Sequence, residues 1–280
     1  MNPPRRARWP LSLDFPDPSR HSGRSFSGSR TQQVSAITPQ IDLDLDHATK
    51  QLTAAADTNL VSLIAANDPL AAAESGSRVL SVLIVLKSAS PEQLAAIAVP
   101  VRTIEEVAGN LPFVVTQDDL RTSTDIFPIR YRNLQHDYSV LAGTDVLADL
   151  TFDLEHVRLR CEQELSNVLI RLRNRYVADH SNPKVMAATL QRAAVAFLIT
   201  LRTAIELQTG LAPDDLDGIF ADAEPALGLE SEELLAIRQA ASGLQPDRES
   251  IDRAFELFVS AAEKAVTLVD QMDHKSGERL

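Results

Sequence analysis

The feature that most constrains this fold is a long amphipathic segment in the middle of the chain, residues 154–176. Its apolar residues recur at steps of three and four, which is the spacing of one buried helical face. They are Leu154, Cys161, Leu165, Val168, Leu169, Leu172 and Tyr176. Asp153 and Glu155 stand at its start and Arg175 near its end, an order that suits the helix dipole. The segment predicts a long helix at the junction between two parts of the chain.

The part before this helix, residues 41–148, has the pattern of an α/β domain. Short apolar runs predict strands over residues 60–64, 79–86, 113–115 and 126–134. The second run reads VLSVLIVL and is almost continuously apolar, which is typical of a strand buried on both faces. The fourth contains Pro128, which indicates a sheet edge or a bulge.

Three helices are predicted around these strands. Residues 46–57 form the first, and Ser90 followed by Pro91 starts the second. Pro100 is expected to break the second helix, because proline lacks the backbone N–H that a helix interior needs. Thr116, with a carboxylate three residues later, starts the third.

From residue 149 onward the pattern is helical throughout. Further helices are predicted from Asn182, over residues 214–223, from Ser231 and from Pro246. Apolar stripes on long helices joined by modest loops predict an antiparallel bundle over residues 149–275. The predicted fold class is therefore α/β, with a small mixed sheet, followed by an all-α helical bundle.

Residues 1–40 have neither a helical nor a strand period. They are rich in Pro, Ser and Gly and carry six arginines against two aspartates. Such a segment buries too little apolar surface to offset its ordering entropy, so we predict a disordered basic tail. A contact of this tail with nucleic acid or an acidic partner, and a tail without function, are both open interpretations.

Composition limits the kinds of partner that the protein is expected to bind and the compartment in which it is expected. A formal charge of -12 argues against a nucleic-acid surface over the whole protein, because binding phosphates requires Lys and Arg. No apolar run approaches the roughly 20 residues that cross a bilayer, so no membrane segment is expected. The single cysteine, Cys161, excludes an internal disulfide and a cysteine zinc cluster. We expect a cytoplasmic protein in which Cys161 is a buried hydrophobe rather than a reactive thiol.

The sequence lacks the common catalytic motifs. The six histidines show no metal-ligand spacing, and there is no P-loop, no G-x-G-x-x-G and no G-x-S-x-G. The apolar stripes are interpreted as core packing rather than as a cofactor site.

The order of elements nevertheless resembles a known family. It combines S-P-E-Q-L at residues 90–94, D-x-F-P-I at 125–129, L-x-G-x-D at 141–145 and an L-R-C-E-x-E-L helix within 154–173. This order is similar to bacterial proteins with a polymerase-β-type nucleotidyltransferase domain and a C-terminal helical bundle. The resemblance spans about residues 45–270.

The resemblance implies a specific chemistry. In such enzymes a Gly-Ser turn after the first strand cradles the triphosphate through backbone N–H groups and a hydroxyl. Two carboxylates two residues apart on the next strand face one side, because strand side chains alternate. With a third carboxylate they hold two Mg²⁺ ions, which align an attacking hydroxyl with the α-phosphate of a nucleoside triphosphate.

This chain departs from the family pattern at each of these points. Residues 65–69 read AANDP where the Gly-Ser turn is expected, and residues 77–82 read SRVLSV where the carboxylate pair is expected. Arg130 stands where relatives tend to carry a carboxylate. We therefore predict no catalytic residue and no metal ligand. The candidate anion- or nucleotide-binding residues are Asn67, Asp68, Ser77, Arg78 and Arg130, with solvated strand ends as the alternative for the two arginines.

A second match to the missing motif lies near the N-terminus. Gly28-Ser29 is followed by Asp42 and Asp44 at a plausible spacing. No apolar strand precedes Gly28, and the aspartates lead into a helix. We interpret them as acids in the first turns of that helix.

The main functional hypothesis is a degenerate nucleotidyltransferase-like pseudoenzyme that retains the scaffold for binding a partner or a nucleotide-like anion, with no cofactor. One alternative is an active nucleotidyltransferase that uses Asp68 or the Asp42/Asp44 pair, with Mg²⁺ and a nucleoside triphosphate. Another is a dimerisation or partner-binding module formed by the bundle. The cleft between residues 79–86 and 126–134 separates these hypotheses, because carboxylates there would favour the enzyme and basic or apolar side chains the scaffold.

Overall fold

The computed structural model describes residues 39–67 and 79–272, and for residues 39–42 it describes the backbone alone. The first part contains a four-stranded sheet with helices on both faces. Its elements are α1 (Pro39–Ala56), β1 (Leu60–Asn67), β2 (Leu80–Leu86), α2 (Pro91–Ala108), β3 (Phe113–Thr116), α3 (Gln117–Thr122), α4 (Pro128–His136) and β4 (Tyr138–Gly143). Residues 1–38 of the predicted basic tail, with the Gly28-Ser29 pair, lie outside the described residues, whereas residues 39 and 40 belong to α1.

The sheet is mixed, as the sequence predicted. Its strand order is β3-β2-β1-β4, with β1 antiparallel to both β2 and β4 and with β2 parallel to β3. The central strands β1 and β2 are almost fully buried, and Ile64 pairs with Leu83 between them. Continuous apolar runs therefore mark the two inner strands, in which both faces need apolar cover.

The predicted fourth strand is wrong. Residues 128–136, most of that prediction, form helix α4, and the fourth strand β4 follows at Tyr138–Gly143. Pro128 stands in the first turn of the helix. Backbone N–H groups in that turn have no intrahelical acceptor, so proline, which lacks an N–H, costs no hydrogen bond there. Ile129, Tyr131 and Leu134 are buried on its inner side.

Two helix boundaries also differ from the prediction. Helix α1 begins at Pro39 rather than near residue 46, and α2 runs through Pro100 without a break. A proline inside a helix costs about 3 kcal/mol. Ile97 and Ile104 are buried on either side of Pro100, and burial of each side chain contributes about 1.5–3 kcal/mol. Their burial offsets the lost hydrogen bond and keeps the helix continuous.

The two faces of the sheet are covered differently. Helices α1 and α2 cover one face, where Leu52, Leu63, Ile84 and Ile104 belong to a separate apolar cluster. The opposite face belongs to a larger cluster that continues from the sheet into the C-terminal helices. In that cluster Ile64 and Leu83 of the sheet, Tyr131 and Leu134 of α4 and bundle residues such as Leu165, Phe197 and Phe258 pack together.

All described elements after residue 153 are helices, as predicted. They are α5 (Leu154–Asp179), α6 (Pro183–Thr209), α7 (Leu216–Leu227), α8 (Ser231–Ser242) and α9 (Arg248–Asp270). The side chains of Asp153, Asn182, Asp215 and Asp247 accept hydrogen bonds from the first turns of α5, α6, α7 and α9 and so fix where these helices start. The predicted domain boundary between residues 148 and 149 stays a prediction.

Helix α6 lies at the centre of this helical part. It packs against α5, α7, α8 and α9, and the rings of its Phe197 and of Phe258 on α9 meet edge to face with centroids 5.3 Å apart. By length and composition alone α6 is also apolar enough to cross a membrane, a criterion that core helices of water-soluble proteins also meet. Its apolar character is accounted for here by packing within the bundle.

Cys161 confirms the expectation of a buried thiol. Its side chain is fully buried on α5, and burial raises the pKa of the thiol well above its ordinary value of 9.0. A thiol kept protonated in this way is a weak nucleophile.

Gly143 ends β4 at the glycine of the L-x-G-x-D motif. Its φ of +83° lies in the left-handed region, and a Cβ built there would approach the carbonyl oxygen of Val61 to 2.2 Å. Gly210 also has a positive φ, +76°, but no atom lies within 4 Å of the corresponding Cβ position. The two glycines therefore share the backbone constraint and differ in steric contact.

We expect Gly143→Ala to destabilise the protein more than Gly210→Ala. A positive φ costs an alanine about 1–2 kcal/mol at either position, and overpacking adds about 1–3 kcal/mol at residue 143 alone. Chemical denaturation of the two variants measures the difference. Equal losses in the free energy of unfolding would show that β4 does not approach β1 as closely as described.

Candidate functional site

The candidate site is a cavity where the open end of the sheet meets helices α4, α5 and α6. Its volume is about 450 Å³, within the range of ligand pockets. We call it the seam cavity. Its described lining comprises Asn67, Ser81, Val82, Asn110, Phe113, Phe127, Ile129, Arg130, Asn133, Leu134, Arg160, Glu164, Ala196, Ile199, Thr200 and Arg202.

Two of the five predicted site residues line this cavity. Asn67 stands at the end of β1 and Arg130 in the first turns of α4. The other three, Asp68, Ser77 and Arg78, lie outside the described residues. The predicted location of Arg130 at a strand end is wrong, because this part of the chain is helical.

Asn67 is fixed by the turn that leads into β4. Its backbone N–H donates to the carbonyl oxygen of Asp137 at 3.0 Å, and its side-chain amide donates to the Asp137 carboxylate. The neighbouring residues Ala65 and Ala66 are buried and continue the strand. A strand therefore occupies residues 65–67, the first three positions at which the family resemblance implies a phosphate-binding turn.

Arg130 forms part of an aromatic wall. Its guanidinium carbon lies 3.9 Å from the centroid of the Phe113 ring, a distance at which the cation is attracted to the ring face. The Phe113 ring meets Phe127 edge to face, with centroids 6.3 Å apart. Arg130 and Phe127 remain exposed, so this wall presents both a cation and an aromatic edge to the cavity.

The bundle supplies two further arginines that the sequence analysis missed. Arg202 of α6 is 5% exposed, and its guanidinium donates to the carbonyl oxygen of Pro213 at 2.7 Å and to the side-chain oxygen of Asn133 at 3.2 Å. Arg160 of α5 is paired with Glu164 at 2.5 Å. The sequence contains one signal that could have identified Arg202. It stands beside the apolar stripe of α6, where a charged residue is unusual.

A buried ion pair holds α4 against the bundle directly behind the cavity. The guanidinium of Arg132 donates to the carboxylate of Glu206 on α6, and the imidazole of His136 lies 3.4 Å from the same carboxylate. The Arg132 and Glu206 side chains are only 8% and 7% exposed. Burial alone would raise the pKa of Glu206, but the hydrogen bond from His136 and the positive charge of Arg132 outweigh it and lower that pKa.

Of the carboxylates in the active-enzyme alternative, Asp44 is not among the described lining residues of the cavity, whereas Asp68 and the side chain of Asp42 lie outside the described part of the chain. The backbone places Asp42 and Asp44 in the first turns of α1, before β1, which agrees with their interpretation as helix acids. Glu164 is the one carboxylate among the described lining residues. Within residues 43–67 and 79–272, no three His, Cys, Asp or Glu side chains form a group that could hold a metal ion.

Comparisons with known proteins do not identify a family. No family model matches the chain, and no curated protein matches it. Among solved structures, it is similar to a spectinomycin adenyltransferase from Enterococcus faecialis that was solved with ATP and spectinomycin. The two chains share 10% identity with a TM-score of 0.47, over 79% of this chain and 99% of the other. The fold class therefore rests on the mixed sheet and the helical bundle described above.

The buried pair behind the cavity can be tested through stability. We expect Glu206→Gln to lower the free energy of unfolding at neutral pH by about 3–5 kcal/mol, because it leaves the Arg132 guanidinium buried without its counter-charge. Because the pKa of Glu206 is lowered by folding, its contribution is complete above the ordinary value of 4.5 and is lost as the pH falls below it. The free energies of unfolding of the native protein and of Glu206→Gln should therefore converge as the pH falls. Chemical denaturation of both proteins between neutral and acidic pH measures this.

The matched control is Asp217→Asn, which removes the exposed pair between Arg238 and Asp217. Exposed pairs contribute about 0–1 kcal/mol, so this change should be nearly neutral. If Glu206→Gln were as mild as the control, the buried pair would not hold α4 in place.

Proposed function

We propose that the protein binds a nucleotide-like anion in the seam cavity, on a nucleotidyltransferase-like scaffold that does not carry out metal-dependent transfer. The observation that carries this proposal is the convergence of Arg130, Arg160 and Arg202, from three different helices, on one cavity. Their described neighbours in the lining include a single carboxylate, Glu164. The local charge is therefore opposite in sign to that of the whole chain.

The arrangement suits a phosphate group better than a cation. Guanidinium groups present a rigid fork of N–H donors that matches phosphate oxygens in bidentate geometry. The amides of Asn67 and Asn133 and the hydroxyl of Ser81 add short polar side chains to the same lining. A cationic substrate would face three like charges there.

The aromatic wall suits the remainder of a nucleotide. Ile129 and Val82 lie beside Phe113 and Phe127, so the cavity has an apolar side as well as a basic one. Flat nucleobases pack on aromatic rings and on guanidinium planes, and such stacking is worth about 1–3 kcal/mol per base. A ligand with a planar ring at one end and phosphates at the other would use both sides.

The absence of transfer is proposed from the chain's own residues. Two-metal transfer needs carboxylates close together at the reacting phosphate. The chain has Arg130 and an alanine-rich strand end at positions where the resemblance implies a carboxylate and a phosphate-binding turn. No bound cofactor is needed for the proposed role.

The binding proposal predicts a specific loss in Arg130→Ala. Hydrogen bonds to charged groups contribute about 1.5–3 kcal/mol, so we expect the Kd for ATP, measured by calorimetry, to rise at least about tenfold. Arg121→Ala is the control, because Arg121 is an exposed arginine on α3 whose partner is Asp118, outside the cavity lining. Equal affinities of the two variants, or no binding of ATP by the native chain, would contradict the proposal.

The proposal that transfer is absent needs its own measurement. Labelled ATP is incubated with the native protein and Mg²⁺ or Mn²⁺, and labelled products are sought on the protein and on small hydroxyl compounds. We expect label no higher than in a protein-free reaction. Labelled product above that level would establish the alternative of an active nucleotidyltransferase.

A second candidate function, dimerisation through the bundle, is favoured by the outer face of α5. Leu159, Ile170 and Val177 are 46%, 54% and 80% exposed and lie at helical spacing along that face. We propose that this face contacts a second copy of the chain. Light scattering of the full protein should then show a dimer that Ile170→Asp converts to a monomer, whereas a native monomer would exclude this role.

A further inference from the structure

A second basic surface lies on the bundle, next to the seam cavity. Helices α5 and α6 enclose a groove of about 530 Å³. Its charged residues are Arg171 and Arg175 of α5 and Arg192 of α6, and Asn174 and Thr189 add polar groups. Its described lining contains no acidic side chain. We call it the arginine groove.

The charges of this groove are only partly balanced. Arg175 lies 3.4 Å from the Asp179 carboxylate. Among the described residues, neither Arg171 nor Arg192 takes part in an ion pair, and both are exposed. Arg171 and Arg175 are four residues apart on one helix, where like charges repel. An anion in the groove would relieve this repulsion and would meet guanidinium groups from both helices.

The arginine groove and the seam cavity are neighbours. Ala196 of α6 lines both, and on α5 Glu164 of the cavity is one helical turn from Val168 of the groove. Arg160 and Arg175 stand at the two ends of this surface, 15 residues apart on α5, hence about 22 Å at 1.5 Å per residue. A single phosphate cannot reach both ends, whereas a chain of phosphates can.

We infer that the arginine groove binds the phosphodiester backbone of a single-stranded nucleic acid whose terminal nucleotide occupies the seam cavity. This inference rests on the proposed nucleotide binding in the cavity and extends it from a mononucleotide to a chain. The surface is several times longer than the roughly 3.4 Å axial repeat of phosphates along one strand of duplex DNA, so it has room for more than one phosphate. The aromatic wall around Phe127 favours this ligand over an acidic peptide, because a peptide carboxylate offers no flat ring to stack.

The rest of the protein is acidic, so we expect the nucleic acid to contact this surface alone. Charges separated by more than about 8–10 Å are largely screened at physiological salt, so the groove acts through its own arginines. Each phosphate neutralised on a single strand contributes about -0.7 to the slope of log K against log salt. Three groove arginines therefore predict a slope of about -2 from the groove alone.

The test is fluorescence anisotropy of the full native chain with a labelled ten-nucleotide single-stranded RNA over a salt series. We expect Arg171→Ala/Arg192→Ala to weaken binding at least about tenfold at low salt and to reduce the magnitude of the slope by about 1.4. Arg121→Ala/Arg253→Ala is the charge-matched control, because both residues are exposed and lie outside the groove. This control should keep the native slope.

Two further measurements make the outcome decisive. Arg171→Lys/Arg192→Lys keeps both charges, so its slope should match that of the native protein even where bidentate contacts are lost. Unlabelled polyglutamate and tripolyphosphate are added as competitors. Each should displace the labelled RNA less effectively than unlabelled RNA does. Thermal unfolding shows that each variant is folded.

The inference is overturned if the native chain does not bind the RNA, if the alanine pair matches the charge control, or if polyglutamate competes as well as RNA does. ATP binding distinguishes this failure from failure of the proposed function. The groove pair should leave the Kd for ATP unchanged, whereas Arg130→Ala should raise it. Absence of RNA binding together with retained ATP binding would therefore contradict the inference about the arginine groove and leave the proposed function of the seam cavity standing.

Discussion

The buried ion pair between Arg132 and Glu206 fixes α4 of the first part of the chain against α6 of the bundle. Removing two charges from water is costly, and the pair is stabilised because each partner has hydrogen bonds to the other and His136 adds a third contact. Residues two apart on a helix point about 200° apart. With Arg132 paired with Glu206 of α6, Arg130 lies on a different side of α4, over the Phe113 ring, where it lines the seam cavity. One buried interaction thus orients an exposed cation.

The seam cavity lies where the shared apolar core ends. One face of the sheet is covered by α1 and α2, whereas the other continues into the bundle through residues such as Leu83, Leu134 and Leu165. At the end of β1 the sheet is no longer covered, and polar residues of the strand ends face arginines of α5 and α6. A continuous core on one side of the opening keeps its walls in fixed positions, which reduces the ordering cost of binding.

The sequence predicts the elements of this protein better than its site. The run over residues 79–86 predicts a buried strand because Ser81 is its single polar residue. Strand β2 confirms this prediction. Helix α4 was missed because residues 129–132 alternate apolar and polar side chains and because Pro128 suits a strand edge as well as a helix start. Asn67 and Arg130 could be found by comparing motifs position by position. Arg160 and Arg202 could not, since only tertiary packing brings α5 and α6 to the same opening.

The proposed site differs from a two-metal site in what its charges can do. Both metal ions and guanidinium groups neutralise phosphate oxygens, so a phosphate can be held where arginines stand in place of metal-bound carboxylates. A metal ion additionally lowers the pKa of a bound hydroxyl and aligns it with the phosphorus atom. An arginine remains protonated and supplies neither effect. In the proposed site, an arginine at position 130 in place of a carboxylate would attract the anion without supplying the metal-dependent step, and this is the physical reason why we propose binding without catalysis.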